Sequence, residues 1–161
     1  MTKLRKILLL YGIAIALPLA VGGIAAALTA GNMDLYAQIQ SPPLAPPAIL
    51  FPIVWTVLYV LMGISSALVW QNRQKDPESA VTGLAYYAIS LIFNFGWSLI
   101  FFNARRFGAA FLWLLILWVL ILQTIRYYRK VSPLAAKLQI PYILWVSFAG
   151  YLNLAIWWLN R

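Results

Sequence analysis

Three sets of aromatic and mildly polar residues recur at helical spacing in this chain, and they are the side chains best placed to do chemistry. At about 100° per residue, Phe51, Trp55, Tyr59, Met62 and Ser66 fall within an arc of about 80°. Ser90, Asn94, Trp97, Ser98 and Phe101 share an arc of about 100°. Trp145, Phe148, Ala149, Leu152 and Ile156 lie on one face at i, i+3, i+4, i+7 and i+11. Flat π surfaces beside one amide and a few hydroxyls suit a flat, apolar ligand. Two readings remain open: the stripes pack helix against helix, or they wall a pocket, as bundle interiors often do. Asn94 beside aromatics could orient a bound ring system, and Ala149 leaves a shallow spot between larger side chains, so that a planar ligand would slot between Trp55 and Trp145.

Other chemistry is excluded by what is missing. The chain has no cysteine and no histidine. Disulfides, thiol chemistry, ordinary zinc sites and Cys- or His-ligated haem are therefore out, and no metal site or resident cofactor is expected. The commonest general base near neutral pH is also absent. No catalytic residue is assigned on these grounds.

The elements that must position these residues are membrane spans. The sequence is 64% hydrophobic and 9% charged, against about 25% charged in soluble domains. Apolar runs of about 20 residues match a hydrocarbon core of ~30 Å, and they are continuous rather than alternating, which argues against a β-barrel. The expected fold is all-α: a polytopic membrane protein with a bundle of five transmembrane helices, at residues 7–30, 47–70, 80–102, 108–128 and 134–159 of one domain covering 1–161. Pro42, Pro43, Pro46 and Pro47 make a stiff entry to the second span, which Pro47 or Pro52 can start. Pro141 either kinks the fifth span or marks its effective start.

Net charge is +9, yet the cations sit between apolar segments, so anionic lipid headgroups and not nucleic acid are their expected partners. With five spans, nine of the twelve cations (Lys3, Arg5, Lys6, Arg73, Lys75, Arg126, Arg129, Lys130 and Lys137) fall on the side of the N-terminus, and Arg105, Arg106 and Arg161 fall on the other side. The positive-inside rule then puts the N-terminus in the cytoplasm, and loop 1 (31–46) and the C-terminus opposite. No Lys, Arg, Asp or Glu lies clearly within a span, which argues against an ion-coupled pump. Ser65, Ser66, Ser90, Asn94, Ser98, Gln123, Thr124, Ser147 and Asn153 are expected to bond between helices. Small-residue pairs such as Gly22/Ala26 and Gly23/Ala27 permit close helix contact or dimerisation. Trp157, Trp158, Tyr127 and Tyr128, near span ends, are expected to anchor at the interface.

Three stretches, in order, resemble one family. P-P-x-x-x-F-P-x-V-W-T-V-L-Y-x-x-M-G runs over 46–63, with L-V-W at 68–70. N-F-G-W-S-L-I-F-F-N-A-R runs over 94–105, and P-Y-I-L-W-V-S-F-A-G-Y-L-N over 141–153. These are similar to the translocator protein, or tryptophan-rich sensory protein, family (TspO/MBR, also the peripheral benzodiazepine receptor family), in its bacterial type. The resemblance implies a five-helix bundle, often a homodimer, that binds porphyrins and other hydrophobic small molecules in a pocket beneath loop 1. It implies site residues at Tyr36, Trp55, Asn94, Trp97, Trp145, Ala149 and Leu152. Together with the stripes, this sets the expected pocket between spans 2, 3 and 5, adding Phe51, Tyr59 and Phe148. The family's loop-1 pattern carries two tryptophans and a lysine that this chain lacks. Its C-terminal sterol pattern needs a cation within about five residues of a tyrosine. After Tyr151 the next cation is Arg161, so specific sterol binding is not expected.

The function these readings favour is a membrane receptor or carrier for flat hydrophobic ligands, chiefly porphyrins, in tetrapyrrole handling or stress sensing. Two alternatives stand beside it: light-dependent porphyrin breakdown, with Trp55 and Trp145 as electron or radical participants, and a regulatory membrane subunit that binds a partner helix. A porphyrin's propionates resist hydrocarbon, so they belong at the membrane surface. There Arg105 or Arg106 would pair with one, unless both only anchor the span end by snorkelling.

Overall fold

The computed structural model describes residues 2–161 and contains only helices and their connections among them. α1 (Lys3–Thr29) begins at Thr2, whose hydroxyl accepts from the Arg5 N–H, and it continues through Pro18. A short 3-10 turn (Ala30–Asn32) and α2 (Leu35–Gln38) lie in loop 1. α3 (Leu50–Gln71) follows the proline-rich entry, with Pro52 in its first turn. α4 (Pro77–Ser98) opens on a capped start. Asp76 accepts from the Ser79 N–H at 3.0 Å, which holds its carboxyl below the usual range, and Pro77 occupies the first turn where no N–H is needed.

At its far end α4 widens into one π-helical turn, Leu99–Asn103. The Ala104 N–H reaches the Leu99 carbonyl at 3.0 Å and the Arg106 N–H the Ile100 carbonyl at 3.2 Å. Arg105 then takes the left-handed backbone, with φ of 51°, to turn into α5 (Phe107–Val131). The fifth span is in two pieces, α6 (Pro133–Leu138) and α7 (Ile140–Leu159). Pro141 sits in the first turn of α7, so it marks the start of the long helix rather than kinking it from within. Gln139 at the break is fully buried and donates to the Ser65 hydroxyl at 3.2 Å.

Five helices are long and apolar enough to cross a bilayer: Lys3–Asn32, Leu50–Gln71, Pro77–Asn103, Phe107–Val131 and Pro133–Leu159. The chain is thus a polytopic, integral membrane protein. α1 packs on α3 and touches α4; α4 packs on α5, α5 on α7, and α3 on α6. Round the bundle the spans therefore run first, second, fifth, fourth, third. Leu8, Ile13, Leu17 and Ile24 of α1 point outward, as does Ile92 of α4, as lipid-facing residues do.

Side-chain hydrogen bonds divide into two groups. Ser65, Asn94, Ser147 and Asn153 join different helices. Ser66, Ser90 and Thr124 instead donate to carbonyls of their own helix. A hydroxyl satisfies itself most cheaply on the carbonyl one turn back, so the interhelical role expected of Thr124 is corrected. Tyr128 is corrected too. It is fully buried, not an interface anchor, with its ring 6.4 Å from that of Tyr87 and pressed against Gly83, where a Cβ would come within 2.8 Å of it. Tyr127, its neighbour, stacks on Tyr86 and carries Lys130 over its ring. Trp158 stays exposed under the Arg161 guanidinium.

Candidate functional site

The second-span stripe faces inward as its spacing requires. Phe51, Trp55 and Tyr59 form one wall of a cavity of about 400 Å³ beneath loop 1. Trp55 and Tyr59 stack with ring centroids 5.5 Å apart. The opposite wall is the face of α1 that carries Leu19, Gly22, Gly23, Ala26 and Thr29. The space exists because those α1 side chains are small. A Cβ on Gly22 would overlap the Tyr59 ring, whereas one on Gly23 would meet nothing within 4 Å. Tyr36 and Met33 from loop 1 roof the cavity, and Trp97, Ser98 and Phe102 close its α4 side.

The expected pocket between spans 2, 3 and 5 is therefore shifted: the cavity lies between spans 1, 2 and 3. Of the ten expected contact residues, Tyr36, Phe51, Trp55, Tyr59 and Trp97 line it. Asn94 stands behind Tyr59 with 2% exposure. Its Oδ1 accepts from the Tyr59 hydroxyl at 3.0 Å and its Nδ2 donates to the Tyr142 hydroxyl at 2.9 Å. Trp97 donates its Nε1 hydrogen to Asn153 Oδ1 at 3.0 Å, while Asn153 Nδ2 donates to the Phe107 carbonyl at 2.7 Å. Ala149 and Leu152 are core residues at 6% and 4% exposure.

Trp145 and Phe148 lie on the other side of α3. With Val54, Val57, Leu58 and Leu144 they line a shallow, wholly apolar groove of about 580 Å³ between α3 and α7. Phe51 is the partition. It lines the cavity, and its ring meets Trp145 edge-on at 5.8 Å and Tyr36 at 5.5 Å.

Sequence reasoning missed the α1 wall and Phe102. The α1 signal lies in the small residues Gly22, Gly23 and Ala26, whose spacing equally permits close helix contact or dimerisation. Phe102 had no signal. The π turn adds a residue per turn, so Phe101 and Phe102 are both buried where a regular helix would turn one outward.

Loop 1 is strapped down on all sides. Asn32 Nδ2 donates to Asn103 Oδ1 at 2.8 Å, and Arg105 Nη1 donates to Gln38 Oε1 at 3.3 Å. Gln40 exchanges two bonds with Asn160: its N–H donates to Oδ1 at 2.9 Å and its carbonyl accepts from Nδ2 at 3.2 Å. The Tyr151 hydroxyl donates to the Pro43 carbonyl at 2.8 Å. Burial pushes the Tyr36 hydroxyl up to about 12, so it remains a neutral donor at physiological pH. No carboxylate, ammonium or guanidinium lines the cavity, and among the described residues no cluster of acidic groups could hold a metal ion.

Comparison with known proteins assigns this five-helix bundle to a family. The profile of the TspO/MBR family matches residues 14–159, and the chain belongs to that family. It is 37% identical over 158 residues to the tryptophan-rich protein TspO of Chlorobaculum tepidum, covering 98% of this chain and 99% of that one. Protein CrtK of Rhodobacter capsulatus is 38% identical over 125 residues, 78% of each chain. The translocator protein of Ovis aries is 39% identical over 126 residues, 78% of this chain and 75% of the relative.

Proposed function

We propose that this protein is a membrane receptor or carrier for flat hydrophobic molecules, with porphyrins as the leading ligand class. One observation carries the reading: the aromatic stripe Phe51–Trp55–Tyr59 and a glycine- and alanine-rich stretch of α1 line one cavity, with no charge in the lining. Stacking rewards a π face on the ligand, and the missing side chains of α1 leave room for it. The cavity's volume falls within the ~300–1,000 Å³ range of small-molecule sites, at the lower end. The cavity lies under loop 1, near the end of the bundle, so a porphyrin's ring can enter apolar space while its propionates stay at headgroup level.

The test is a porphyrin titration of the protein in vesicles, read by tryptophan fluorescence. Trp55→Ala should weaken binding by roughly 1–3 kcal/mol, the range for a lost stacking partner. Trp157→Ala, on the C-terminal turn of α7, outside the cavity lining and packed over Gly108, should change it little. Equal losses for the two would move the site out of this cavity.

A further inference from the structure

We propose that the ligand enters the cavity sideways from the bilayer, through the seam between α3 and α7, past a door formed by Phe51 and Trp145, and not through loop 1 from water. The proposal rests on the reading of the cavity as a ligand site. Three separate features of the structure lead to it.

The first is proximity. Two side chains in contact separate the inner cavity from the outer α3–α7 groove: Phe51 lines the cavity, Trp145 lines the groove, and their rings meet edge-on at 5.8 Å. The second is where the two sides lead. The groove is apolar throughout and its rim residues Val57 and Leu144 are 54% and 63% exposed, so it faces hydrocarbon. A flat apolar molecule is already concentrated there, since transfer out of water favours it. On the aqueous side loop 1 is tied down by the hydrogen bonds of Asn103, Arg105, Asn160 and Tyr151. The third is how the door is held. Trp97, Trp113 and Trp118 are each fixed by an indole hydrogen bond at 3.0, 2.7 and 2.9 Å. Trp145 Nε1 is buried without a partner, so its ring is held by packing alone and can swing without breaking a hydrogen bond.

The experiment fills the groove and, separately, frees the loop. Val57→Trp and Leu144→Trp add bulk at exposed rim positions, away from the cavity and from the packed core. Asn160→Ala and Tyr151→Phe release two straps. Two readouts are taken in vesicles: the rate of porphyrin association, and the rate at which a lipid-soluble maleimide labels Ser98→Cys, the sole thiol in a chain that otherwise has none. Both rates should fall by roughly tenfold in the groove-filled variants, the effect of ~1.4 kcal/mol of added barrier. Porphyrin Kd should hold, because a blocked path slows entry and exit alike. The strap variants should change neither rate. The proposal is overturned if filling the groove leaves both rates unchanged, whether or not releasing the straps speeds either. Absence of porphyrin binding with groove-dependent labelling of Ser98→Cys would reject the ligand reading and uphold the route.

Discussion

Tyr59 and Asn94 are joined by a buried hydrogen bond of 3.0 Å that ties the floor of the cavity to the middle of the bundle. Tyr59 presents its ring to the cavity and its hydroxyl to Asn94, and Asn94 passes the connection to Tyr142 on α7. Three helices are thus locked by one amide, in surroundings where no water replaces a lost partner. Asn94 acts on a ligand through Tyr59, by holding the aromatic wall in place.

Asn94→Leu should therefore cost more than Tyr59→Phe. It strands two buried hydroxyls, whereas Tyr59→Phe strands one buried acceptor, Asn94 Oδ1, and each unpartnered group costs ~1–3 kcal/mol. Thermal unfolding in detergent checks the order. Equal losses would mean that the tyrosines find other partners.

Gly22 and Gly23 are adjacent but should respond oppositely. Gly22→Ala drives a methyl into the Tyr59 ring, and overpacking of this kind costs about 1–3 kcal/mol. A side chain at Gly23 meets open space, so Gly23→Leu should leave the melting temperature nearly unchanged and reduce porphyrin affinity by occupying the cavity. Paired melting and titration curves on the two variants separate these effects.

Arg105 and Arg106 should differ in the same way. Arg105 is engaged with Gln38, so Arg105→Gln loosens loop 1 and should weaken a porphyrin diacid and its dimethyl ester alike. Arg106 precedes the first residue of α5 and is exposed, free to meet a propionate. Arg106→Gln should weaken the diacid by a few-fold at most, as exposed ion pairs are weak, and leave the ester unaffected. Losses confined to neither ligand in Arg106→Gln would reduce that residue to an anchor.

The cation distribution predicts an orientation. Loop 1 and the C-terminus meet through Gln40 and Asn160 at one end of the bundle, and Tyr11 meets Gln71 at the other. Reporter fusions should find the N-terminus in the cytoplasm and the C-terminus outside it, since nine of the twelve cations accompany the N-terminal end. The reverse result would show that the charge bias is not what orients this chain.

The sequence by itself determined the five spans, the inward face of the second and the family, because these depend on periodicity, composition and local order along the chain. A helix that must hide its backbone in hydrocarbon has few alternatives, and residues four apart share a face wherever the helix ends up. Tertiary structure decided where the cavity lies. That depends on the order of the spans round the bundle, which sets the small face of α1, and not Trp145 of α7, opposite Trp55. It also depends on one π turn that brings Phe102 inward beside Phe101, and on the turning of Tyr128 against Gly83 rather than toward the interface. A cavity is the space that neighbouring helices fail to fill, and no single helix's sequence states which neighbour it will meet.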